Sequence, residues 1–549
     1  MARRPGMSSW YNPAMLVRTG IRVAISTVFG QFADRREAMA AANAIAPSPF
    51  DVAFDYSGKA GSDGFWFDYV ADTGDGWNST YAMARLLAQE AIELDDRLPR
   101  GQLLIMGGDQ VYPTASREDY GERLLDPFDQ AHDLHSATWP EKAPDLYAIP
   151  GNHDWYDGLN SFFGLFCRRR IAGPMAQARD GKVIGGRQTQ QSRSYFAIRL
   201  PDDWWIWGTD SQLEGYIDQP QIDYFLHAAT EWMNPGSKLI LCVGEPSWVH
   251  ADPKDPEKSF NSFSYLEWLA EKSGRGHRLR VVLTGDSHHY ARYMEDDRHY
   301  IVCGGGGAFL HPTHQLKSIE FPWRHPRPNH AATGSRSFRL FTRYPSAMTS
   351  FGLAFRNLLF PLLNPLFTLV FALSYGVFNW LLNVNARVNG GTLASALDVP
   401  TVGGAVEGYW NLLFVSPWPT LLLALACGGY YYFAAVKNSW GRFAVGFVHW
   451  VVQTFVALVV TWQVMRCSAP PEAIEGWASA KPVIVATLAA ALAGSAVFGL
   501  YLLTSINVFG AHYNEAFSSL RIAGYKSFLR MRIRPGGDLE IQPVGLRRT

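Results

Sequence analysis

The sequence predicts an α/β domain followed by a region of about four membrane-spanning helices. From about residue 65 to 310, short β-rich apolar runs alternate with helical stretches such as Ser79–Leu94, a pattern typical of α/β folds. From 357 to 510, only nine of 154 positions are charged, whereas the other 395 positions hold 89 charged residues. This segregation indicates that one part of the chain faces water and the other faces lipid.

The overall composition excludes several classes of protein. The 549 residues carry 49 basic and 49 acidic side chains, so a general nucleic-acid binder, which needs a basic excess, is not expected. The five cysteines are scattered and include no C-x-x-C pair, which argues against a cysteine metal site or a disulfide framework. A reducing cytoplasm fits this cysteine pattern.

Four apolar runs in the charge-poor region approach the length of about 20 residues that crosses a bilayer. Pro417 and Pro419 lie within the second run, and prolines near the ends of such runs are tolerated. Four consecutive runs of this length disfavour the alternative of a helical bundle in a soluble protein. The runs are 358–384, 410–436, 443–465 and 483–509.

Lysine and arginine in the flanks of these runs predict the orientation. They cluster before the first run, between the second and third, and after the fourth. We therefore expect a multi-pass protein of the plasma (inner) membrane, with the α/β domain and the C-terminus in the cytoplasm.

The predicted domain organisation has five parts. Residues 1–50 form an amphipathic or helical segment, which either lies on the membrane surface or packs on the α/β domain. The α/β domain covers 51–325, a basic linker 326–356, the transmembrane helices 357–510, and a cytoplasmic tail 511–549. Apolar residues recur at helical spacing between Phe517 and Leu529, so a helix is expected in the tail.

A short polar segment, here called a corner, follows each of five predicted strands. Any one of them is more often a turn than a site, but five in one domain are hard to dismiss. Polar side chains at the carboxyl ends of strands converge on one crevice, and carboxylates, amides and imidazoles together bind metals. The corners are 72–75 (DTGD), 107–112 (GGDQVY), 151–154 (GNHD), 244–246 (GEP) and 285–289 (GDSHH).

With these corners the chain resembles the calcineurin-like metallophosphoesterases. Residues 151–154 match the family's G-N-H-D/E element, and Gly108-Asp109 matches its G-D element. The resemblance covers roughly residues 65–310. It implies a sandwich of two mixed β-sheets flanked by helices, ahead of the membrane helices. It also implies two divalent or mixed-valence metal ions.

The first corner resembles the purple acid phosphatases more closely. It reads Asp72-Thr73-Gly74 and lacks the histidine of the usual D-x-H element. In purple acid phosphatases a tyrosine in G-D-x-x-Y supplies that ligand, and Tyr112 stands at its place. Ligation by Tyr112 makes a trivalent iron plausible, and the alternative is an aromatic ring packed beside the site. Asp75 is a further candidate ligand of the first metal.

Two other elements depart from the family pattern. Its G-H-x-H is Gly285-Asp286-Ser287-His288 here, and Glu245 stands in the stretch where another histidine is expected. The second metal then has an all-oxygen shell, which favours Mn or Mg over Zn, or the second site is weak or lost. His250 is a less favoured substitute. The metal ligands implied are Asp72, Asp109, Tyr112, Asn152, Asp286 and His288, with Asp75 and Glu245 as further candidates.

The resemblance also implies a mechanism. Asp109 bridges two metal ions, a metal-bound hydroxide attacks phosphorus, and His153 protonates or stabilises the leaving oxygen while Asp154 orients its ring. For the glycine run 304–307, close backbone packing is favoured over phosphate binding.

The predicted function is that of a membrane-anchored, metal-dependent phosphoesterase. Its substrate is a phosphate ester or pyrophosphate, with a lipid-linked phosphate as one option and Mn, Fe or Mg favoured over Zn. The alternative is a catalytically degenerate membrane sensor that binds a phosphorylated ligand. A transporter is the weakest hypothesis, because the spans lack paired ionisable residues. The sequence leaves the substrate and the oligomeric state open.

Overall fold

The computed structural model describes residues 4–30, 36, 53–168, 181–211, 217–271, 274–324, 333–468 and 476–548. Parts of the predicted segment 1–50 and the first residues of the predicted linker lie outside these ranges. The chain forms two compact units. The first comprises Met1–Ser8, Arg18–Ser350 and Arg521–Thr549, and the second comprises Ser9–Val17 and Phe351–Leu520.

The β-strands belong to the first unit. They are β1 (Ala53–Asp55), β2 (Phe65–Val70), β3 (Ala91–Glu93), β4 (Arg97–Pro99), β5 (Leu103–Gly107), β6 (Asp145–Ile149), β7 (Val183–Ile184), β8 (Arg187–Thr189), β9 (Phe196–Arg199), β10 (Trp204–Gly208), β11 (Lys238–Val243), β12 (Arg278–Thr284), β13 (Tyr290–Glu295), β14 (Arg298–Cys303), β15 (Ile319–Arg324), β16 (Thr333–Tyr344), β17 (Lys526–Ile533) and β18 (Leu539–Leu546).

The α-helices fall in both units. They are α1 (Pro13–Gly30), α2 (Trp77–Ala88), α3 (Arg117–Tyr120), α4 (Asp126–Asp133), α5 (Asn152–Trp155), α6 (Asn160–Phe166), α7 (Gln219–His227), α8 (Ser247–His250), α9 (Glu257–Glu271), α10 (Ala347–Ala354), α11 (Phe360–Leu363), α12 (Pro365–Val388), α13 (Leu393–Leu397), α14 (Val402–Leu413), α15 (Trp418–Phe433), α16 (Ser439–Cys467), α17 (Trp477–Thr504) and α18 (Tyr513–Ser518).

Two mixed sheets form the first unit, as the sequence predicts. The nine-stranded sheet has the order β1-β9-β10-β11-β12-β14-β13-β16-β15, and the seven-stranded sheet β18-β17-β2-β5-β6-β8-β7. One apolar cluster joins residues of both sheets, such as Tyr69 and Ile105 from one and Ile240 and Leu283 from the other. Helices α2 and α6 cover the outer face of the seven-stranded sheet, and α7 and α9 that of the nine-stranded sheet. The fold is therefore a sandwich flanked by helices.

The predicted basic linker is wrong for the residues that the structure describes. Thr333–Tyr344 is β16, a strand of the nine-stranded sheet between β13 and β15. Phe338 is buried, and Arg336 donates to the carboxylates of Glu267 and Glu295 at 2.6–3.1 Å. The arginines looked like a solvated flank because their partners lie elsewhere in the sequence.

The predicted tail helix is also largely wrong. Helix α18 ends at Ser518, and Lys526–Ile533 is β17, which pairs antiparallel with β2 near the middle of the seven-stranded sheet. All but one of the eight residues of β17 are buried, because this strand has sheet neighbours on both sides. Apolar residues at the spacing found here fit a strand as well as a helix, and spacing alone did not separate the two.

We expect Arg530→Met to lower the free energy of unfolding by about 3–5 kcal/mol, because it removes the bidentate partner of the buried Asp68 carboxylate and leaves only the more distant Arg187, at 3.9 Å, to balance its charge. Arg530 is fully buried opposite Asp68, and its Nε and Nη2 donate to the two carboxylate oxygens at 2.8 and 3.2 Å. Denaturant unfolding of the purified protein measures the loss. Arg532→Met is the matched control, since Arg532 pairs with the partly exposed Glu540 and the exposed Asp63, and pairs near the surface contribute only about 0–1 kcal/mol each. Equal effects of the two variants would contradict the assignment.

The second unit contains three helices that are long and apolar enough to cross a membrane: Pro365–Val388, Ser439–Cys467 and Trp477–Phe509. The predicted second span is not one straight helix. Val402–Leu413 and Trp418–Phe433 are bent by 102° across a short break, and together they pass the same test. Pro417 and Pro419 lie at this break, where their rings and missing amide hydrogens disfavour a continuous helix. The described part of the chain therefore has three helices that could span a membrane, or four if the bent pair counts as one span.

Candidate active site

The predicted polar corners meet at one edge of the sandwich. Strands β2, β5 and β6 run parallel in one sheet, and β11 and β12 run parallel in the other. Each is followed directly by one of the corners, so the side chains collect at the carboxyl ends of parallel strands. The first, second and fifth corners are joined by direct contacts, described below.

Three of the aspartates have an unusual backbone conformation. Asp72, Asp109 and Asp286 lie in the left-handed region, with φ of 57°, 52° and 67°. This conformation costs a residue with a side chain about 1–3 kcal/mol, and it persists where the surrounding structure imposes it. Such strain collects at functional sites, which supports the three carboxylates as candidates for chemistry.

The Tyr112 hydroxyl lies at the centre of the cluster. Its oxygen is 2.8 Å from Asp72 Oδ1, 3.0 Å from Asp109 Oδ2 and 3.0 Å from His288 Nε2. His288 Nδ1 lies 2.9 Å from the Phe309 carbonyl oxygen, so it carries the ring proton and Nε2 is an acceptor. One hydroxyl proton therefore faces three acceptors. The ring of Tyr112 also packs against His153 and His288, so the residue contributes both a packed ring and a hydroxyl to the cluster.

The pKa values of two carboxyl groups in the cluster are raised, in line with this excess of acceptors. Burial, followed by the charges of Asp109 and Asp286, raises the pKa of Asp72 well above its usual range. Burial and the charge of Asp286 raise the pKa of Asp109 to about 7. Negative charge in this cluster is therefore unfavourable without a cation.

The residues fit a bound metal ion. Asp72 Oδ2 is buried and has no hydrogen-bond partner among the described residues, which leaves it available to a cation. In the described ranges, no group of three or more His, Cys, Asp or Glu side chains is placed to hold a metal ion. The tyrosine hydroxyl of Tyr112 and the amide of Asn152 are additional oxygen donors outside that set of residue types.

His153 follows β6 and lies against the cluster. Its backbone N–H donates to Asp109 Oδ1 at 2.8 Å, and its Nδ1 donates to the Pro113 carbonyl oxygen at 2.7 Å. That contact leaves Nε2 unprotonated in the neutral ring. Burial lowers the pKa of His153 to about 4. The ring is thus oriented by a backbone carbonyl and is neutral in the resting protein.

The predicted role of Asp154 in orienting this ring is wrong. Asp154 is fully buried and accepts hydrogen bonds from the backbone N–H groups of Gly151 and Gln110 and from the Tyr120 hydroxyl. It thereby fixes the second and third corners relative to each other. Asp154 positions the two loops through their backbone N–H groups. The ring of His153 is oriented by the Pro113 carbonyl instead.

Asp75 does not join the cluster as a ligand. Its Oδ1 accepts from the Ser8 N–H at 2.7 Å and its Oδ2 from the Phe309 N–H at 3.2 Å. Both oxygens therefore hold backbone segments that border the site. The expectation that Asp75 reaches the first metal is not met in this arrangement.

The remaining candidates lie at the outer side of the cluster. His250 Nε2 is 3.3 Å from Asp286 Oδ2, and both side chains are about 30% exposed. Burial alone would lower the pKa of His250, but the hydrogen bond and charge of Asp286 raise it. Glu245 is largely shielded, and burial followed by the charge of Asp286 raises its pKa. Asn152 donates from Nδ2 to the Tyr156 hydroxyl at 3.3 Å, so its amide oxygen is not used in that contact.

Two residues of the site escaped the sequence analysis in different ways. His250 was disfavoured because its neighbours resemble a loop, yet α8 brings it to Asp286. Lys526 lies at the start of β17 and is fully buried, with Nζ donating to the Ala308 carbonyl at 2.6 Å. Burial lowers the pKa of Lys526 to about 7, while the charges of Asp75 and Asp72 act in the opposite direction. No local sequence signal connects Lys526 with residues more than 400 positions earlier.

The glycine run 304–307 packs tightly against the sheet ends, as favoured from the sequence. A Cβ on Gly304 would lie 2.4 Å from Asp72 Oδ2 and 2.5 Å from the Ser287 carbonyl oxygen. Cβ atoms at the next three glycines would lie within 2.5 Å of other atoms of the domain. The run therefore allows the backbone after β14 to approach Asp72.

We expect Tyr112→Phe to lower metal affinity by about 10–100-fold, because it removes the hydroxyl that contacts Asp72, Asp109 and His288. Metal titration of the purified, metal-stripped protein measures the change. Tyr224→Phe is the matched control, since this buried hydroxyl accepts from the Ala197 N–H, away from the cluster. Unchanged affinity in Tyr112→Phe would remove Tyr112 from the set of ligands.

A comparison of the amino-acid sequence with models of protein families finds a match in the region that forms the site. Residues 65–290 match the sequence model of the family described as calcineurin-like phosphoesterase. These residues form a calcineurin-like phosphoesterase domain. The corners described above lie within this match, which covers less than half of the chain and leaves out β1, β14–β18 and the apolar helices of the second unit.

Two solved structures are similar to the chain at 11% sequence identity. GAP50, the anchor in the inner membrane complex of Plasmodium, gives a TM-score of 0.32 over 45% of this chain and 74% of that chain. Purple acid phosphatase PPD1 from yellow lupin (Lupinus luteus) seeds gives a TM-score of 0.30 over 50% of this chain. The chain spans about half (54%) of the lupin enzyme. The comparison with curated proteins gave no match.

Proposed function

We propose that the phosphoesterase domain is an active, metal-dependent hydrolase of a phosphate ester or pyrophosphate. The observation that carries this proposal is the buried cluster in which one Tyr112 hydroxyl proton faces Asp72, Asp109 and His288. Such a surplus of acceptors is unfavourable alone and is suited to cations. A merely structural cluster would be expected to satisfy its carboxylates with its own donors.

Two metal ions would be held by the side chains around this cluster. Asp72, Tyr112 and His288 suit the first, Asn152 and Asp286 the second, and Asp109 lies where it could serve both. His250 and Glu245 are additional candidates beside Asp286. The mixed set of oxygens and imidazole suits Mn, Fe or Mg. When bound, these ions would lower the pKa of water and neutralise phosphoryl charge.

His153 is the proposed acid for the leaving oxygen. The Pro113 carbonyl fixes the ring through Nδ1, so Nε2 is the nitrogen available to substrate. The pKa of about 4 in the resting protein means that the neutral ring dominates. A phosphate anion beside the ring favours the protonated form, which then donates from Nε2 to the departing oxygen.

A degenerate phospho-ligand sensor is the competing function. It is favoured by the replacement of two family histidines, by Glu245 and Asp286, and by the lack of a complete His/Cys/Asp/Glu metal site in the described residues. The purified full-length protein should be assayed for bound metal and for hydrolysis of a generic phosphomonoester and phosphodiester with Mn, Fe, Mg and Zn. Metal-dependent turnover supports the enzyme, whereas phosphate binding without turnover under any metal supports the sensor.

Attachment to the cytoplasmic face of the plasma (inner) membrane is part of the proposal, with a lipid-linked phosphate as the narrower substrate class. The apolar spans support it, as does α1, whose Val17, Ile21, Ile25 and Val28 are 54–63% exposed. Reporter fusions at the C-terminus test the orientation. A reporter active only outside the cytoplasm would overturn it.

A further inference from the structure

The helices of the second unit enclose a cavity of about 460 Å³. Its walls come from α12, α15 and α16, with Phe498 from α17. The volume lies within the range of about 300–1,000 Å³ that is typical of small-molecule sites, which often occur between helices of bundles. Nothing in the phosphoesterase domain contributes to this cavity.

The chemistry of the walls restricts what the cavity can hold. None of the lining side chains is charged, and eight of them are aromatic. The amide of Gln453 is already engaged, since its oxygen accepts from the Tyr375 hydroxyl at 2.7 Å and its nitrogen donates to the Gly494 carbonyl at 3.0 Å. A charged ligand would therefore be buried without a counter-charge, which is costly within a membrane segment.

One polar atom in the wall lacks a protein partner. Trp450 lines the cavity, and its indole nitrogen is buried without a hydrogen-bond partner among the described residues. An indole N–H only donates, so its natural complement is an oxygen acceptor. Val370 also lines the cavity and is 38% exposed, which places one wall at the outer surface of the helices. A ligand can therefore enter from the lipid phase.

We propose that this cavity binds a neutral membrane lipid whose apolar body carries an oxygen acceptor for Trp450. Lipid is the solvent around helices of this composition, so the occupant is drawn from the bilayer. The apolar walls hold the body of the lipid through packing, and the indole N–H selects an oxygen. This site is independent of the phosphoesterase site and does not rest on its activity.

Glycine residues in α15 offer a matched pair of variants. Gly429 lines the cavity, and a Cβ built on it meets no atom within 4 Å. Gly428, its neighbour, has the same open space around its Cβ but does not line the cavity. Gly429→Leu would fill the cavity without a clash, and Gly428→Leu places the same side chain outside it.

The experiment uses the full-length protein in phosphatidylcholine vesicles with two photoreactive probes of the same chain, hexadecanol and palmitate, at a pH where palmitate is ionised. We expect hexadecanol to label α15 and α16 peptides saturably, and palmitate to label them at least about tenfold less. Gly429→Leu should reduce labelling by about tenfold, Gly428→Leu by less than about twofold, and Trp450→Phe by about fivefold.

Three results would overturn the proposal. Labelling of Gly429→Leu equal to Gly428→Leu would show that the cavity is not the site, and equal labelling by both probes would show that it does not select neutral lipids. Unchanged labelling of Trp450→Phe would show that the indole N–H does not donate a hydrogen bond to the lipid. If Gly429→Leu does not elute as a single folded species, competition by unlabelled hexadecanol on the unmodified protein replaces it. Labelling that unlabelled hexadecanol does not reduce is non-saturable and would overturn the proposed site.

Discussion

Asp109→Asn is expected to abolish metal binding and to lower phosphoesterase activity at least about a thousandfold, while stabilising the metal-free protein. Asp109 Oδ1 accepts from the His153 N–H and Oδ2 from the Tyr112 hydroxyl, so it lies between both halves of the proposed site. Asparagine keeps the volume of the side chain and one acceptor oxygen. It removes the negative charge that a shared metal ligand must provide.

The stabilisation follows from the sign of the pKa shift. Burial and the charge of Asp286 raise the pKa of Asp109 to about 7. Between the ordinary carboxyl pKa of 3.8 and about 7, the folded protein holds a proton that the unfolded chain has released. This carboxyl therefore lowers stability progressively as pH rises through that window, and the loss is complete above it. Asparagine removes the effect, so the variant gains stability at neutral and higher pH.

Metal analysis, steady-state kinetics and denaturant unfolding in chelator at about pH 5 and about pH 8 test these expectations. Asp129→Asn is the control, since Asp129 accepts from the Gly185 N–H away from the site. It should keep metal and activity. Normal metal content and turnover in Asp109→Asn would contradict the proposed site.

His153→Ala is expected to lower kcat by about 10²–10⁴-fold while metal content stays near that of the unmodified protein. The ring is held through Nδ1 by the Pro113 carbonyl at 2.7 Å, and Nε2 is the proposed donor to the leaving oxygen. Its backbone N–H, which binds Asp109, is retained in alanine. The variant therefore separates proton transfer from metal binding.

Kinetic constants and metal content measured on the same preparation test this separation. Tyr156→Phe is the control, because its ring lies 4.9 Å from that of His153 and takes no part in the proposed proton transfer. We expect it to change kcat by less than about tenfold. A proportional loss of metal and activity in His153→Ala would assign the residue a structural role instead.

The site was predictable from the sequence where each residue belongs to a corner next to a strand. Asp72, Asp109, Tyr112, Asp286 and His288 were all found in this way, and the structure brings them together. The role of Asp154 was not predictable, because its carboxylate accepts from backbone N–H groups of two loops that meet only after the sheet has formed. The prediction that Asp75 reaches the first metal failed for the same reason, since its partners Ser8 and Phe309 are remote in the chain.

The fold shows the same division. Periodicity and charge predicted the α/β domain and the apolar spans, since both depend on local composition. Spacing could not place β16 and β17, whose burial depends on remote neighbours. Arg336 looks solvated until Glu267 and Glu295 surround it.

The sequence by itself determined that one region is apolar enough to span a membrane, that another forms an α/β domain, and which strand ends carry metal-binding residue types. Each of these is a property of short segments, because hydrophobicity and turn chemistry act locally. Only the tertiary structure decided that the segment after the membrane helices returns to pair with β2, bringing Arg530 to Asp68 and Lys526 to the site. Long-range strand pairing and buried charge pairs join residues more than 400 positions apart, and no local pattern records such a contact.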